Sequence, residues 1–424
     1  MKKIVSFMLL CAAVGLASCQ KSVTFSNLTA NGSATETTTT LTLTFDKVIK
    51  ELSADDIILT AGETGAVKGA LTAQSGGVYE LAVSGITKSG ELTVTVAKSG
   101  YALTPVSKSV AVIMRVPDVY VAGYGSNGTN RVAKVWKNGK ETALTDGTNS
   151  AYARSVYVSG SDVYVAGYES SGKKNIAKLW KNGVETALTN GTQDASALSV
   201  SVSGSDVYVA GQERNGTVYV ATLWINGVAT ALTDRTNSAY AMSVFVSGND
   251  VYVAGYEHNG KKNVAKVWKN GVATVLTDGT KDAYANSVFV SGSNVYAVGQ
   301  ESDGMASVAT LRKNGMIIAL TNGKNYASAQ SVFVSEGDVY VAGNEYKEKK
   351  YAAMLWKNGM TATALTEGTE HAYAQSVFVS GSDVYVAGYE DNGTKQIATL
   401  WKNGVATALT DGTQDAFAFS IFVK

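Results

Sequence analysis

The sequence has very little cysteine, proline or histidine: 424 residues contain two of each. Cys11 and Cys19 both lie near the N-terminus, so the rest of the chain can form no disulfide and offers no thiolate to a metal. His258 and His371 stand in no nucleophile or metal-ligand motif, which leaves a catalytic triad or a zinc site without its usual groups. We therefore expect no catalytic residue, no metal site and no cofactor, and predict that the protein is not an enzyme.

An excess of charge of one sign is also missing. Thirty-six lysines and arginines face thirty-five aspartates and glutamates, so nothing predicts nucleic acid as a partner. Helical periodicity is absent beyond the first twenty residues, whereas Val, Thr and Tyr are abundant and 43 glycines punctuate the chain. This composition is typical of short strands joined by tight turns and predicts an all-β protein.

Residues 1–18 have the pattern of a signal peptide. Lys2 and Lys3 precede an apolar segment, residues 4–14, that is too short for a good transmembrane span. The segment Leu16-Ala17-Ser18-Cys19 resembles the lipobox of bacterial lipoproteins. The resemblance implies cleavage before Cys19 and attachment of lipid, palmitate included, to that residue. An ordinary secretion signal with a chance cysteine is the alternative.

The predicted lipid anchor places the protein in the cell envelope, bound to a membrane through its N-terminus. Because Gln20 rather than Asp follows the cysteine, we expect the outer membrane, on either its surface or its periplasmic leaflet. Residues 19–21 then serve as lipid anchor and short linker.

Residues 22–112 alternate apolar and polar side chains in short runs. Leu41, Leu43 and Phe45 share one strand face, and the patterns at Tyr79-Leu81-Val83 and Leu92-Val94-Val96 are the same. About ninety residues of this kind predict an immunoglobulin-like β-sandwich, and they resemble the Ig-like modules of bacterial surface lipoproteins. Pro105 and Pro117 flank its end, and residues 113–117 are the expected linker.

Residues 118–424 consist of repeats of about 44 residues. Each holds four strand-length segments: a Ser-Val-Phe-Val-like run, the Asp-Val-Tyr-Val-Ala-Gly string, a strand ending in Trp and an outer strand with Ala-Leu-Thr. A period of this length with four strands is typical of a propeller blade. The layout resembles NHL and WD40 propellers without their signature residues. The string, or its variant at Asn294, begins at Asp118, Asp162, Asp206, Asp250, Asn294, Asp338 and Asp383.

The order of segments predicts seven blades and the way the ring closes. The repeats enter at a second strand, Asp118, and end on an inner strand, residues 420–424, which can complete the first blade. Residues 111–114 compete for the same place. We prefer closure by the C-terminal strand, which gives an N-terminal Ig-like β-sandwich followed by a closed seven-bladed β-propeller.

The longer loops lie on one face of the predicted propeller, and that face also varies most between repeats. We place the candidate binding rim there, at two positions per repeat. The first follows the Ala-Gly pair: Tyr124, Tyr168, Gln212, Tyr256, Gln300, Asn344 and Tyr389. The second lies at the predicted mouth of the central channel: Arg154, Leu198, Met242, Asn286, Gln330, Gln375 and Phe419.

Three other repeated residues have structural interpretations that we prefer to functional ones. The Glu that follows the first rim position in six repeats is expected to be a solvated loop charge near lysines such as Lys173 and Lys261, rather than a cation ligand. The six tryptophans are expected to pack between blades rather than to form a sugar platform. The Asp that opens each second strand is expected to bond nearby turn backbone.

The leading functional prediction is a monomeric, non-catalytic envelope protein whose loop face binds a protein or glycan partner, with the Ig-like domain as spacer. A periplasmic scaffold in envelope assembly is the first alternative. A glycan-active hydrolase is the second.

Overall fold

The computed structural model describes residues 20–33, 36–366, 368 and 370–424. The predicted signal peptide and Cys19 therefore lie outside the described residues. Contacts divide the chain into two compact units, the first ending at Val116 and the second spanning Pro117–Lys424. Among the described residues, no helix is long and apolar enough to cross a membrane.

The first unit contains two sheets that share one hydrophobic core. The strands are β1 Lys21–Ala30, β2 Thr40–Phe45, β3 Ile57–Thr60, β4 Val67–Ala73, β5 Val78–Ser84, β6 Gly90–Val96, β7 Tyr101–Thr104 and β8 Ser107–Val112. Their orders in the two sheets are β4-β5-β2-β1-β7 and β3-β6-β8, and a 3-10 turn at Ala54–Asp56 precedes β3. The nine residues assigned above to inward strand faces are all buried, so period-two alternation predicted the core correctly.

The second unit consists of four-stranded antiparallel sheets, seven among the described residues. The inner strands are β36 Ala416–Val423, β12 Ala151–Ser159, β16 Ala195–Ser203, β20 Ala239–Ser247, β24 Asp282–Ser291, β28 Ala327–Ser335 and β32 Ala372–Ser380. The second strands are β9 Val119–Ser126, β13 Asp162–Ser170, β17 Asp206–Arg214, β21 Asp250–His258, β25 Asn294–Ser302, β29 Asp338–Lys347 and β33 Asp383–Asp391.

Two further strands complete each sheet. The third strands are β10 Arg131–Lys137, β14 Asn175–Lys181, β18 Tyr219–Ile225, β22 Asn263–Lys269, β26 Ser307–Lys313, β30 Lys350–Lys357 and β34 Gln396–Lys402. The outer strands are β11 Lys140–Ala143, β15 Val184–Ala187, β19 Val228–Ala231, β23 Val272–Val275, β27 Met316–Ala319, β31 Thr361–Ala364 and β35 Val405–Ala408. They end at the residue before the Leu-Thr pair, so the Ala-Leu-Thr outer strand predicted above extends too far. We number the sheets 1 to 7, beginning with the sheet that contains β9.

The sheets are arranged as a β-propeller. Each inner strand contacts the inner strands of the two neighbouring sheets, in the order β36, β12, β16, β20, β24, β28, β32 and back to β36. Sheet 1 is assembled from both ends of the second unit, because β36 pairs antiparallel with β9, with Ile421 opposite Val121. Asp118 and Lys424 also exchange two backbone hydrogen bonds of 2.9 Å.

The competing segment for this position belongs to the first unit. Residues 111 and 112 are the last residues of β8, which pairs with β6. The structure thus uses the C-terminal strand to complete sheet 1, as preferred from the sequence.

Candidate functional site

The second set of rim residues occupies one backbone feature, a β-bulge in each inner strand. The pairing of β12 with β13 shifts between Ala153 and Ser155, so Arg154 has no partner in the ladder. The Gly of each Ala-Gly pair permits this, because a Cβ on Gly167 would collide with the carbonyl oxygen of Tyr152. A bulge turns the extra residue away from its neighbours in the sheet. The seven bulge residues are Arg154, Leu198, Met242, Asn286, Gln330, Gln375 and Phe419, all partly exposed.

A closed cycle of serines lies next to the bulges. The hydroxyl of Ser155 accepts a hydrogen bond of 3.1 Å from the backbone N–H of Val200 in the next inner strand. The same bond recurs at every step around the ring, and Ser420 in β36 accepts from Val156 and completes it. These bonds satisfy N–H groups that the free edge of each sheet would otherwise leave unpaired. The acceptors are Ser155, Ser199, Ser243, Ser287, Ser331, Ser376 and Ser420.

Sequence reasoning missed this role of the serines, although a signal was present. A Ser precedes the Val, or Ile in the last copy, of every inner-strand run. Seven copies of a hydroxyl directly after the most variable position could have indicated a backbone requirement.

The first set of rim residues lies directly across from the inner strands and builds an aromatic surface. Tyr168 pairs with Tyr152 in the ladder, and their rings stack 4.7 Å apart. Ring contacts of 4.7–4.9 Å continue through sheets 1 and 7, and we call this run the aromatic arc. Its members are Tyr373, Tyr389, Phe417, Tyr124, Tyr152 and Tyr168.

The other sheets interrupt the arc. Tyr240, Tyr256 and Tyr284 form a shorter aromatic run on sheets 4 and 5. In sheet 3 the equivalent ladder pair is Ser196 with Gln212, and in sheet 6 it is Ser328 with Asn344. Gln300, opposite Tyr284, completes the set. The mouth therefore has an aromatic side and polar positions, although the repeats that build it are nearly identical.

Arg154 is the charged residue among the bulge side chains. Its guanidinium carbon lies 4.0 Å from the centre of the Phe419 ring, and no hydrogen bond or ion pair joins it to another described residue. Burial lowers the pKa of Arg154, while the phenols of Tyr168 and Tyr124 act in the opposite direction. A guanidinium remains protonated in proteins, so this side chain presents an unpaired positive charge at the mouth.

The repeated glutamates are not solvated loop charges, and that prediction was wrong. Lys178 of the adjacent strand bonds both Glu169 and Glu185, and Lys266 bonds Glu257. The side chains of Glu169 and Glu257 are each only 14% exposed. They point along the sheet surface rather than toward Lys173 or Lys261, because their strand register sets them beside the third strand.

Three more glutamates of this set have other surroundings. Arg312, which replaces Trp in sheet 5, bonds Glu301, and Lys347 bonds Glu345. Sheet 7 has Thr399 where sheet 2 has Lys178, and burial raises the pKa of Glu390. Within the described residues, no group of three His, Cys, Asp or Glu side chains is arranged to hold a metal ion.

The tryptophans are buried between neighbouring sheets, as predicted. Trp180 is fully buried and packs against Ala133 and Val135 of sheet 1. Sheet 5 has Arg312 at this position, and a cleft of about 220 Å³ lies there, lined by Tyr252, Val267 and Leu276 among others.

The Asp that opens each second strand bonds side chains across a hairpin rather than nearby turn backbone. Asp162 accepts a hydrogen bond of 2.8 Å from the Asn182 amide and pairs with Lys181 at 2.8 Å. Asn182 in turn accepts from the backbone N–H of Val163. The lysine and the amide lower the pKa of Asp162. The prediction failed because these partners lie nineteen and twenty residues further along, across the hairpin formed by the second and third strands.

The two histidines make local backbone contacts. The Nδ1 atom of His258 accepts from the N–H of Gly260, and that of His371 accepts from Tyr351 in the adjacent strand. Both bonds stabilise loop geometry.

No protein-family model matches the chain, and neither does any curated protein sequence. Solved structures match at 9–10% identity: TolB from Acinetobacter baumannii (TM-score 0.41), Kuenenia stuttgartiensis hydrazine synthase (0.41) and Porphyromonas gingivalis dipeptidyl peptidase 4 (0.35). The alignments cover 74, 73 and 68% of this chain. They span 82% of the TolB chain but only about half of the other two, 47 and 52%.

Proposed function

We propose that this chain is a non-catalytic lipoprotein of the cell envelope. In this proposal Cys19 carries the lipid, the first unit is an Ig-like spacer, and the second is a closed seven-bladed propeller that binds a protein or glycan partner on its loop face. The protein acts as a monomer, without cofactor or nucleic acid.

One observation carries the proposal. Differences between otherwise similar repeats are concentrated at the bulge and at the ladder position beside it, and these positions lie together at one end of the inner strands. Side chains there do not form the repeated hydrogen bonds of the framework, so they are free to differ without loss of stability. Binding sites commonly occupy such variable positions on a rigid scaffold.

The anchor is tested by metabolic labelling with a palmitate analogue in the native host. We expect label on the wild-type chain and none on Cys19→Ser, with Cys11→Ser labelled normally as the matched control. Label on Cys19→Ser, or none on the wild type, contradicts the anchor.

The binding face is tested with glycan and protein arrays. We expect a ligand whose binding is lost in the pair Gln375→Ala and Met242→Ala at the mouth but kept in Lys181→Gln and Lys269→Gln at the opposite end. Silent arrays with folded protein, or loss only in the second pair, contradict the proposal.

A periplasmic scaffold is separated from a surface binder by protease treatment of intact cells. We expect cleavage of the exposed chain, whereas complete protection that ends when the outer membrane is permeabilised supports the scaffold.

A further inference from the structure

The mouth is positively charged on one side. Arg154 has no anionic partner there, and the adjoining sheet 1 has Gly125 where the other six repeats have Glu. Arg131 adds a second cation, with its guanidinium 5.5 Å from the Tyr152 ring and one N–H donated to the Tyr152 hydroxyl at 2.9 Å. A partly buried charge without a counter-ion is costly, and an arriving anion removes that cost.

Apolar ring faces and carboxamides lie at the same mouth as this charge. Phe419 and the aromatic arc provide rings that are half-buried, apart from the buried Tyr124. Across the mouth, Gln375 provides a carboxamide without an internal partner, and Gln330 and Asn286 provide carboxamides that each donate one internal hydrogen bond. Rings that accept the C–H face of a sugar, together with amides and phenols that bond its hydroxyls, are the groups that a saccharide needs.

An extended peptide fits less well. Peptides of that kind usually bind by adding a strand to a free sheet edge. Here the serine cycle already satisfies inner-edge N–H groups such as those of Val156 and Val200.

We infer that the mouth beside sheets 1 and 2 binds an acidic saccharide, with the guanidinium of Arg154 paired to a sugar carboxylate and the aromatic arc against the ring. The inference rests on the proposed function and names its ligand class. Arg suits this role because its planar N–H fork matches a carboxylate.

The probes are galacturonate, hyaluronan and alginate oligosaccharides, each compared with its methyl ester, which removes the charge and keeps the sugar. We expect the acids to bind and the esters to bind at least about ten-fold more weakly. Arg154→Gln should weaken binding of the acids about ten- to a hundred-fold and so remove most of the preference for acid over ester. Arg214→Gln, on sheet 3 at the same end of the propeller, is the matched control and should bind like the wild type. A thermal unfolding temperature at or above that of the wild type in each variant shows that folding is intact.

Several results overturn the inference. These are equal binding of acid and ester, normal binding by Arg154→Gln, tighter binding of an acidic peptide than of any uronate, or no uronate binding. If another array ligand still depends on Gln375 and Met242, the proposed function survives this failure. If binding is instead lost in the Lys181→Gln and Lys269→Gln variants at the opposite end of the sheets, both this inference and the proposed function are contradicted.

Discussion

The two ends of the inner strands differ in how strictly they repeat. Away from the mouth, the hydrogen bonds of Asp162 with Asn182 recur from sheet to sheet. The serines directly after the bulges repeat just as strictly, because their cycle of backbone bonds is unbroken. At the mouth the seven bulge residues are of six types, with Gln occurring twice. The difference teaches that backbone and packing requirements fix the framework residues, whereas the mouth is held by the framework and is free to vary. Changes to framework residues should therefore alter the free energy of unfolding, whereas changes at the mouth should leave it nearly unchanged.

Deletion of residues 420–424 should have the largest effect. It removes half of β36, the two serine-cycle bonds made by Ser420 and Ile421 and the buried side chains of Ile421 and Val423. It also exposes the part of β9 that paired with the deleted residues as a free edge. We expect a loss on the order of 5 kcal/mol or more in the free energy of unfolding, measured by chemical denaturation. A chain extended after Lys424 by four Gly and Ser residues is the control. An unchanged transition in the truncated protein contradicts closure by this strand.

Trp180→Ala should follow, with a loss of about 3–5 kcal/mol, because it empties a fully buried position between sheets 1 and 2.

The reverse change is available in sheet 5. Arg312→Trp combined with Glu301→Gln fills the cleft without leaving a carboxylate unpaired, and should stabilise by about 1 kcal/mol. Chemical denaturation of both variants measures these changes in the free energy of unfolding. The gain from the double variant should be smaller than the loss from Trp180→Ala. A destabilised double variant would show that sheets 4 and 5 pack around Arg312 by a different arrangement.

Glu390→Gln should stabilise the protein at neutral pH, and only slightly, because solvent screens this partly exposed carboxylate. Burial raises the pKa of Glu390, so its ionised form is less stable in the folded state than in the unfolded chain. The cost is absent below the unfolded pKa, near pH 4, and grows as the pH rises through the folded pKa. The gain from Gln should therefore be larger at pH 7 than at pH 4.

Glu169→Gln is the matched control for that prediction. Lys178 holds this carboxylate, so its replacement should destabilise rather than stabilise at neutral pH. If Glu169→Gln and Glu390→Gln stabilise the protein equally, having Lys178 rather than Thr399 beside the carboxylate does not affect its stability in the folded state.

Ser199→Ala should cost about 1 kcal/mol, because the N–H of Val244 loses its hydrogen-bond acceptor at the inner edge. Ser203 lies at the other end of the same strand and makes no side-chain hydrogen bond with a described residue. Ser203→Ala should therefore change the unfolding free energy by less than about 0.5 kcal/mol. Equal losses in the Ser199 and Ser203 variants would show that the hydrogen bonds of the serine cycle do not contribute to stability.

The sequence predicted most of the framework because its signals are local. Period-two alternation identifies β2, and the repeated string locates each second strand. The sequence did not predict the partners of Glu169 or Asp162, because these depend on which residues the register places opposite them. Arg154 lacks a partner because of the residues that surround it, and these come from bulges in seven repeats, 44 or 45 residues apart, that the fold brings together. No local pattern contains that information.

Gln375→Ala should have the smallest effect on stability and tests the mouth side of the comparison directly. Gln375 is a bulge residue in β32 and is partly exposed, and its side chain makes no hydrogen bond with a described residue. The unfolding free energy should change by less than about 0.5 kcal/mol, whereas Ser376→Ala, one residue later in the serine cycle, should cost about 1 kcal/mol. If Gln375→Ala is the more damaging change, the bulge residues are part of the framework, and their variation between repeats needs a structural explanation rather than a ligand.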